Sequence, residues 1–569
     1  MTLALRRAES AAVPRRIDIS MPLLAGFALF LCVLIGLPVF WLAVYAVTDA
    51  HGVPTLANFK RLVTDPDLLD PLTVTMILAT SVGAMCCAVA APMGWIVART
   101  DMRGRGVVRA LVTASFVTPP FLGAVAWEIL AAPNSGILNQ LYRDLFDLSP
   151  DDVLFNVYTL PGLAFVIACY TFPYVFVLVT NALERIPGDL EDASAILGAK
   201  TVQTARRITV PLVMPAILAG ALIAFLQAMT LFGSPAILAM PAGFHTLTTK
   251  IFMLFQFPPK PGLAAAASLP LLVITVLLLR AQSWILGRRG YTVVGGKASD
   301  PRRIRLGIWQ VPAQLLCFGV LCAPVFLPYA ALAKAAFSQT PYGPLHWKAL
   351  TLDQVRAAFS YSATQLALEN TFLLCGLTAT LGTILALVIS YAVARQAIWG
   401  HRALGFLATA PVAIPGIVLG VGLFLAYTRP PLVLYGTLTI LLLAYLTLQL
   451  PSAYQQLRAA FHGIHPELEE ASRILGATRL QALCHVTAPL LRSGLIATWC
   501  FIFIGTMREL SAAIMLVTAD TKVLSTVIYD LNEGGDLGQI AVLGLTMLVV
   551  TFGVVSLANR LPGFGVARG

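Results

Sequence analysis

Few side chains in this sequence have the type and spacing to do chemistry. Arg508 and Glu509 are adjacent charges inside an otherwise charge-free stretch, Ser493–Ala519. A charge at the centre of a bilayer costs about 2.5–3.5 kcal/mol on insertion scales, so such a pair demands an explanation. Two readings fit: charges neutralised by each other or by neighbouring helices near the outer end of a span, or the lining or gate of a pathway. Glu128 is a similar acid, placed toward the outer end of its apolar segment, where an interfacial residue is the plainer reading. Gln227 and Gln449 lie in apolar runs, where amides by default hydrogen-bond helix to helix. His462 and His465 form His-x-x-His at a solvent-facing helix start, a poor setting for a metal pair. The nine cysteines contain no Cys-x-x-Cys and read as small buried hydrophobes. Gly295-Gly296-Lys297-Ala298 is the nearest approach to a phosphate-cradling loop, but Tyr291 stands at the first glycine position and Ala298 follows the lysine. No catalytic residue, metal site or bound cofactor is assigned to the chain, and nucleotide chemistry is expected on another polypeptide.

The elements that must position these residues are membrane spans. Of 569 residues, 58% are hydrophobic and 11% charged, against about 25% charged in an average soluble domain. Twelve stretches between Ile19–Thr48 and Leu537–Asn559 are clear or nearly clear of charge, each able to supply the about 20 apolar residues that cross a bilayer. With the N-terminus inside, 27 of the 38 Lys and Arg fall on the inner side, so both termini are expected in the cytoplasm. The net charge of +11 is this bias dispersed over short loops, and no nucleic-acid partner is implied. The first apolar run is too long for a cleaved leader and is read as the first span. The fold class is therefore an all-α polytopic membrane protein.

The chain also repeats itself. Ile186–Ala199 and Ile464–Ala477 share nine of fourteen residues at an offset of 278, which also carries Pro211 onto Pro489. Ala98-Arg99 resembles Ala394-Arg395 at an offset of 296. The 18-residue difference predicts extra chain in the first half, around Asn134–Asn156. The expected organisation is two six-span domains, 1–286 and 306–569, joined by a cytoplasmic linker at 287–305 that is rich in Gly, Ser, Pro and charge. Both halves start and end inside, so they are parallel repeats.

The repeated loop lies between spans four and five of each half. Acids follow Pro187 and Pro466 (Asp189, Glu191 and Asp192; Glu467, Glu469 and Glu470), where a helix N-terminus favours negative charge. Gly198 and Gly476 are placed to end that helix in a left-handed cap. A second short helix is expected at Lys200–Ile208, running to Pro211 at the membrane. Two equivalent knobs suggest two equivalent partners.

The pattern Glu-x-Ala, then Gly, then Ile/Val-x-x-Pro resembles the EAA loop of binding-protein-dependent ABC importer permeases. Glu191, Ala193, Gly198, Ile208 and Pro211 carry it in the first copy, and Glu469, Ala471, Gly476, Val486 and Pro489 in the second. The resemblance covers essentially the whole chain, as two fused type I permease domains, and is closest to ferric-iron permeases. Phe232-Gly233-Ser234-Pro235 and Arg508-Glu509-Leu510-Ser511 add a weaker likeness to that subgroup. It implies that each loop couples to one of two copies of an ABC ATPase subunit on the cytoplasmic side. It further implies a periplasmic solute-binding protein on the other face, residence in a bacterial inner membrane, and a pathway for which Gln227, Gly233, Arg508 and Glu509 are the candidate residues. Ferric iron is the first expectation for the solute, with thiamine, an aminoalkylphosphonate or a polyamine as alternatives. A major-facilitator-type carrier is the rival. Its loop after span two, Gly-x-x-x-Asp-x-x-Gly-x-Arg, is matched here only by Asp101 and Gly104, with Val97 and Gly106 at the outer positions.

Overall fold

A computed structural model describes residues 20–49, 51–288, 303–342, 349–396, 400–461 and 463–560. The candidate phosphate loop at 291–298, most of the 287–305 linker and His462 lie outside these residues. Among the described residues there is no β-strand beyond isolated bridges, and helices account for the fold.

The first half is built from α1 (Ser20–Ala46), α2 (Pro66–Arg99), α3 (Arg105–Val117), α4 (Pro120–Ala131), α5 (Leu160–Glu184), the loop helix α6 (Gly188–Ile196), α7 (Ala205–Thr230) and α8 (Pro261–Arg288). The second half repeats it: α9 (Gly307–Ala336), α10 (Ser362–Ala394), α11 (His401–Ala413), α12 (Gly416–Tyr427), α13 (Leu438–Phe461), the loop helix α14 (Glu467–Ile474), α15 (Arg479–Leu490), α16 (Arg492–Met507), α17 (Leu524–Gly534) and α18 (Leu537–Arg560).

Eight described helices are long and apolar enough to cross a membrane, and eleven if each of three bent pairs makes one span. The twelfth expected segment is α13. It has the length, at 24 residues, but Gln449, Gln455 and Gln456 make it less apolar. Two expected spans are broken rather than straight: α3 and α4 meet at 99° and α11 and α12 at 108°, while α15 and α16 meet at 82° at Leu491, just before the expected span Ser493–Ala519, whose helix ends at Met507. Proline causes the first two breaks. Thr118 and Pro119 each precede a proline and are forced into extended backbone (ψ 127° and 129°). Ile414, before Pro415, is extended in the same way (ψ 110°).

The second loop helix is also corrected. The chain does not stop at Pro211. The turn Thr201–Thr204 runs straight into α7, which opens with a π-helical turn, Ala205–Thr209, and carries Pro211 just beyond it. The charge-free run Ile208–Thr249 is likewise not one span: α7 ends at Thr230, and two short helices, Gly233–Leu238 and Leu247–Met253, follow.

The extra chain of the first half falls where the offsets place it. Residues 132–159 join α4 to α5, whereas only 428–437 join α12 to α13, a difference of 18 residues. The insertion carries a helix, Ile137–Phe146, pinned by buried Asn139, whose amide donates to the Ala132 and Phe155 carbonyls and accepts from the Leu154 and Phe155 N–H groups.

Each half packs a three-helix core, α2 with α5 and α7, and α10 with α13 and α16. The first span of each half leans outward onto the other: α1 lies against α12 as well as α8, and α9 lies against α4 as well as α18. Gly422 makes one of these contacts possible, since a Cβ there would sit 2.9 Å from the Pro38 carbonyl of α1. The end of the linker is tied down too. Ile304 donates to the Arg99 carbonyl and accepts from the Asp101 N–H, a short parallel bridge onto the turn after α2.

Candidate functional site

Two features bring together the residues singled out in the sequence. The first is the duplicated loop. In α6, Glu191 is buried and accepts from the Arg99 guanidinium at the end of α2 (2.9 Å) and from the Thr209 hydroxyl at the root of α7 (2.9 Å). Arg99 also donates to the Ile186 carbonyl. In α14, Glu469 accepts from Arg395 (2.9 and 3.0 Å) and from Thr487 (2.7 Å), and Arg395 donates to the Ile464 carbonyl. The same three-part clamp is built twice. It fastens each loop helix to the second and fifth spans of its own half. Arg99, Arg395, Thr209 and Thr487 escape a motif search. The recurrence of Ala-Arg at 98–99 and 394–395 is the signal that points to the arginines.

Both loop helices end in the same cap. Gly198 (φ +81°) and Gly476 (φ +91°) donate to Ala195 and Arg473, and the residues after them, Ala199 and Ala477, donate to Ser194 and Ser472. This pairing satisfies the terminal carbonyls and needs a left-handed residue that glycine supplies cheaply. Ala193 and Ala471 are exposed beside it. At the tips, Ile196 and Leu197 are 85% and 87% exposed, and Ile474 and Leu475 are 85% and 89% exposed. Four large apolar side chains on a polar face form a surface made for contact. Pro211 and Pro489 are exposed at the roots of the following helices.

The second feature is a cavity of about 710 Å³ between the halves. Gln227, Gly233, Arg508 and Glu509 all line it, along with the two proline breaks, Val117–Pro120 and Pro411–Gly416. Glu509 is the one acid and Arg508 the one base among its lining residues. The two do not clasp each other. Glu509 Oε1 accepts from the Ala512 N–H (3.0 Å) and lies over Gly416, where a Cβ would come to 3.1 Å from it. Arg508 reaches across to the other half, donates to the Phe116 carbonyl and stacks over that ring at 5.4 Å. Gly233 allows a close approach, since a Cβ there would stand 2.7 Å from Phe121 Cβ. Gln449 lies on Gly505, whose missing side chain leaves the room it fills. At the offset of 278, Gly505 is the counterpart of Gln227, so each half presents one carboxamide at equivalent places on the wall. The lining extends along α8 to Gln282, six residues from the end of that helix on the face that bears the loops.

Glu128 is elsewhere. It accepts from the Tyr158 hydroxyl (2.8 Å) and from Asn532 of α17 (3.0 Å), tying the two halves together on the face away from the loops. His465 lies 3.4 Å from Glu467 on the surface. No group of three or more His, Cys, Asp or Glu is placed to hold a metal among the described residues.

A duplicated membrane bundle with a central cavity that carries a few polar groups and with paired contact knobs on one face is the architecture of a solute-translocating membrane subunit. The chain belongs to the family described as binding-protein-dependent transport system inner membrane component, which matches it twice, over residues 90–290 and 378–561. Both matches begin after the first span of a half. Among relatives, a ferric transport system permease protein of Actinobacillus pleuropneumoniae is 27% identical over 79% of this chain, which spans 64% of that protein's length. An Fe(3+)-transport system permease protein of Haemophilus influenzae is 24% identical over 88% of this chain and 91% of its own. A sulfate transport system permease protein of Salmonella typhimurium is 27% identical over 47% of this chain and 92% of its own.

Proposed function

We propose that this chain is the fused, two-domain permease subunit of an ABC importer in a bacterial inner membrane, and that its cargo is ferric iron. The observation that carries the reading is the doubled clamp, which presents two identical apolar tips on one face. In this reading that face is cytoplasmic, both termini lie on it, and each tip seats in one of two copies of an ABC ATPase. Glu191, Ala193, Gly198 and Pro211, with Glu469, Ala471, Gly476 and Pro489, are the coupling elements. A solute-binding protein delivers cargo to the opposite face, and the cavity bearing Gln227, Gly233, Arg508 and Glu509 is the pathway. ATP is bound and hydrolysed by the partner alone. Ferric iron follows from the names of two relatives that match most of this chain, and an oxyanion such as sulfate is the second reading because a sulfate permease matches 47% of this chain.

The test is uptake of labelled ferric iron by cells with the chain deleted and then restored, with labelled sulfate run in parallel. Uptake of iron that vanishes on deletion and returns with the intact chain supports the proposal. Loss of sulfate uptake alone moves the cargo to the second reading, and no change in either removes both. The docking claim is read separately: replacing Ile196, Leu197, Ile474 and Leu475 together with serine is expected to abolish copurification of the ATPase while leaving the thermal midpoint of the chain unchanged.

A further inference from the structure

Arg508 caps the end of α16, yet its side chain serves the other half of the molecule. The carbonyl it holds, that of Phe116, is free for a reason written in the sequence. In a continuing helix that carbonyl would accept from the N–H of residue 120, and residue 120 is proline. The Arg508 guanidinium supplies the missing donor and sits over the Phe116 ring, which itself packs edge-on against Tyr174 of α5 at 5.1 Å. The grip therefore falls on the break between α3 and α4, which forms one wall of the cavity.

At its other end the helix carrying Arg508 runs back to the second loop. Thr487, in α15, is bonded to Glu469 of α14, and α16 follows α15 with only Leu491 between. Glu469, Thr487, α15, α16, Arg508 and Phe116 thus form one physical line from the second loop to the first half's broken span. The line has no mirror image. Thr230 occupies the repeat-equivalent position, and its hydroxyl turns back onto the Leu226 carbonyl of its own helix.

We infer that Arg508 is a positioning residue of the transport cycle, a one-sided latch through which the second loop sets the α3–α4 break. This rests on the permease reading. The two loops are then unequal in function although nearly identical in structure: movement of α14 reaches both halves, whereas movement of α6 reaches its own.

The experiment uses the full chain, alone in detergent and reconstituted with its ATPase and binding protein, with the variants R508Q and R508K. Hydrogen exchange on the chain alone is expected to quicken across residues 114–122 in R508Q. Uptake per ATP hydrolysed is expected to fall by roughly tenfold in R508Q, within the usual range of coupling between sites, while ATP hydrolysis itself continues. R508K, which keeps the charge and loses the planar fork, is expected to fall as well, and it carries the test should R508Q not accumulate in the membrane. Unchanged exchange in R508Q overturns the latch. Quickened exchange with unchanged uptake per ATP hydrolysed also overturns it, since Arg508 would then only satisfy a carbonyl. A wild-type complex that shows no ATP-driven uptake overturns the permease reading instead, and the exchange measurement still decides the contact.

Discussion

The Arg99 side chain has no exposed surface and the Arg395 side chain has 15%, although they hold repeat-equivalent glutamates, Glu191 and Glu469. Removing one partner of a buried ion pair strands the other and typically costs about 3–5 kcal/mol. Glu191→Ala is therefore expected to lower the thermal midpoint in detergent more than Glu469→Ala, because water can reach Arg395 and relieve part of the penalty. Equal midpoints for the two variants would show that burial does not set the strength of the clamp. At this scale the sequence is an uneven guide. Glu191 and Glu469 are legible because their acids recur in register. Arg99 and Arg395 show only as a shared dipeptide at a different offset. The Phe116 carbonyl is invisible, being main chain, and only Pro120 four residues on betrays that it lacks a donor.

At the scale of the element, the loop helices are marked by their caps. A Cβ at Gly198 or Gly476 would meet nothing within 4 Å, so substitution there is resisted by backbone conformation alone, at about 1–2 kcal/mol per site for a left-handed residue. Gly198→Asp combined with Gly476→Asp is accordingly expected to insert and fold, yet to lose uptake per ATP hydrolysed because both tips are reoriented. A double variant with normal uptake would remove the coupling role of the loops. The spans are less legible than the loops. A charge-free run reports apolarity and says nothing of straightness, so Ala110–Trp127 and Ala403–Thr428 look like simple crossings. The prolines at 119, 120, 411 and 415 show where they fold over, and those bends are what open a wall for the cavity. The helix ending at Thr230 inside Ile208–Thr249 is marked only by Gly233-Ser234-Pro235, a few residues beyond its end.

For the whole molecule, the two-half plan is legible in the repeat, and the 18 extra residues lie where the two offsets put them. The crossing of the first spans is not legible. Nothing in the composition of α1 or α9 indicates that each lies against the opposite half, because an apolar helix carries no address for its neighbour. Chains 1–286 and 306–569 produced as separate polypeptides are expected to copurify when made together, held by the contacts of α1 with α12 and of α9 with α4. Failure to copurify would mean that the linker, with Ile304 stitched to the turn after α2, is what holds the halves together.

The crossed first spans also set a timetable for synthesis. α1 is complete at Ala46, and α12, on which it rests, is finished only at Tyr427. At about 5–20 residues per second, the about 380 residues between them take roughly 20 to 80 s to emerge. Throughout that interval one flank of α1 has lipid, or the insertion machinery, in place of its protein neighbour. The first half is thus an intermediate kept waiting by its own architecture, and a protease active at the membrane meets it in that state before it ever meets the finished subunit.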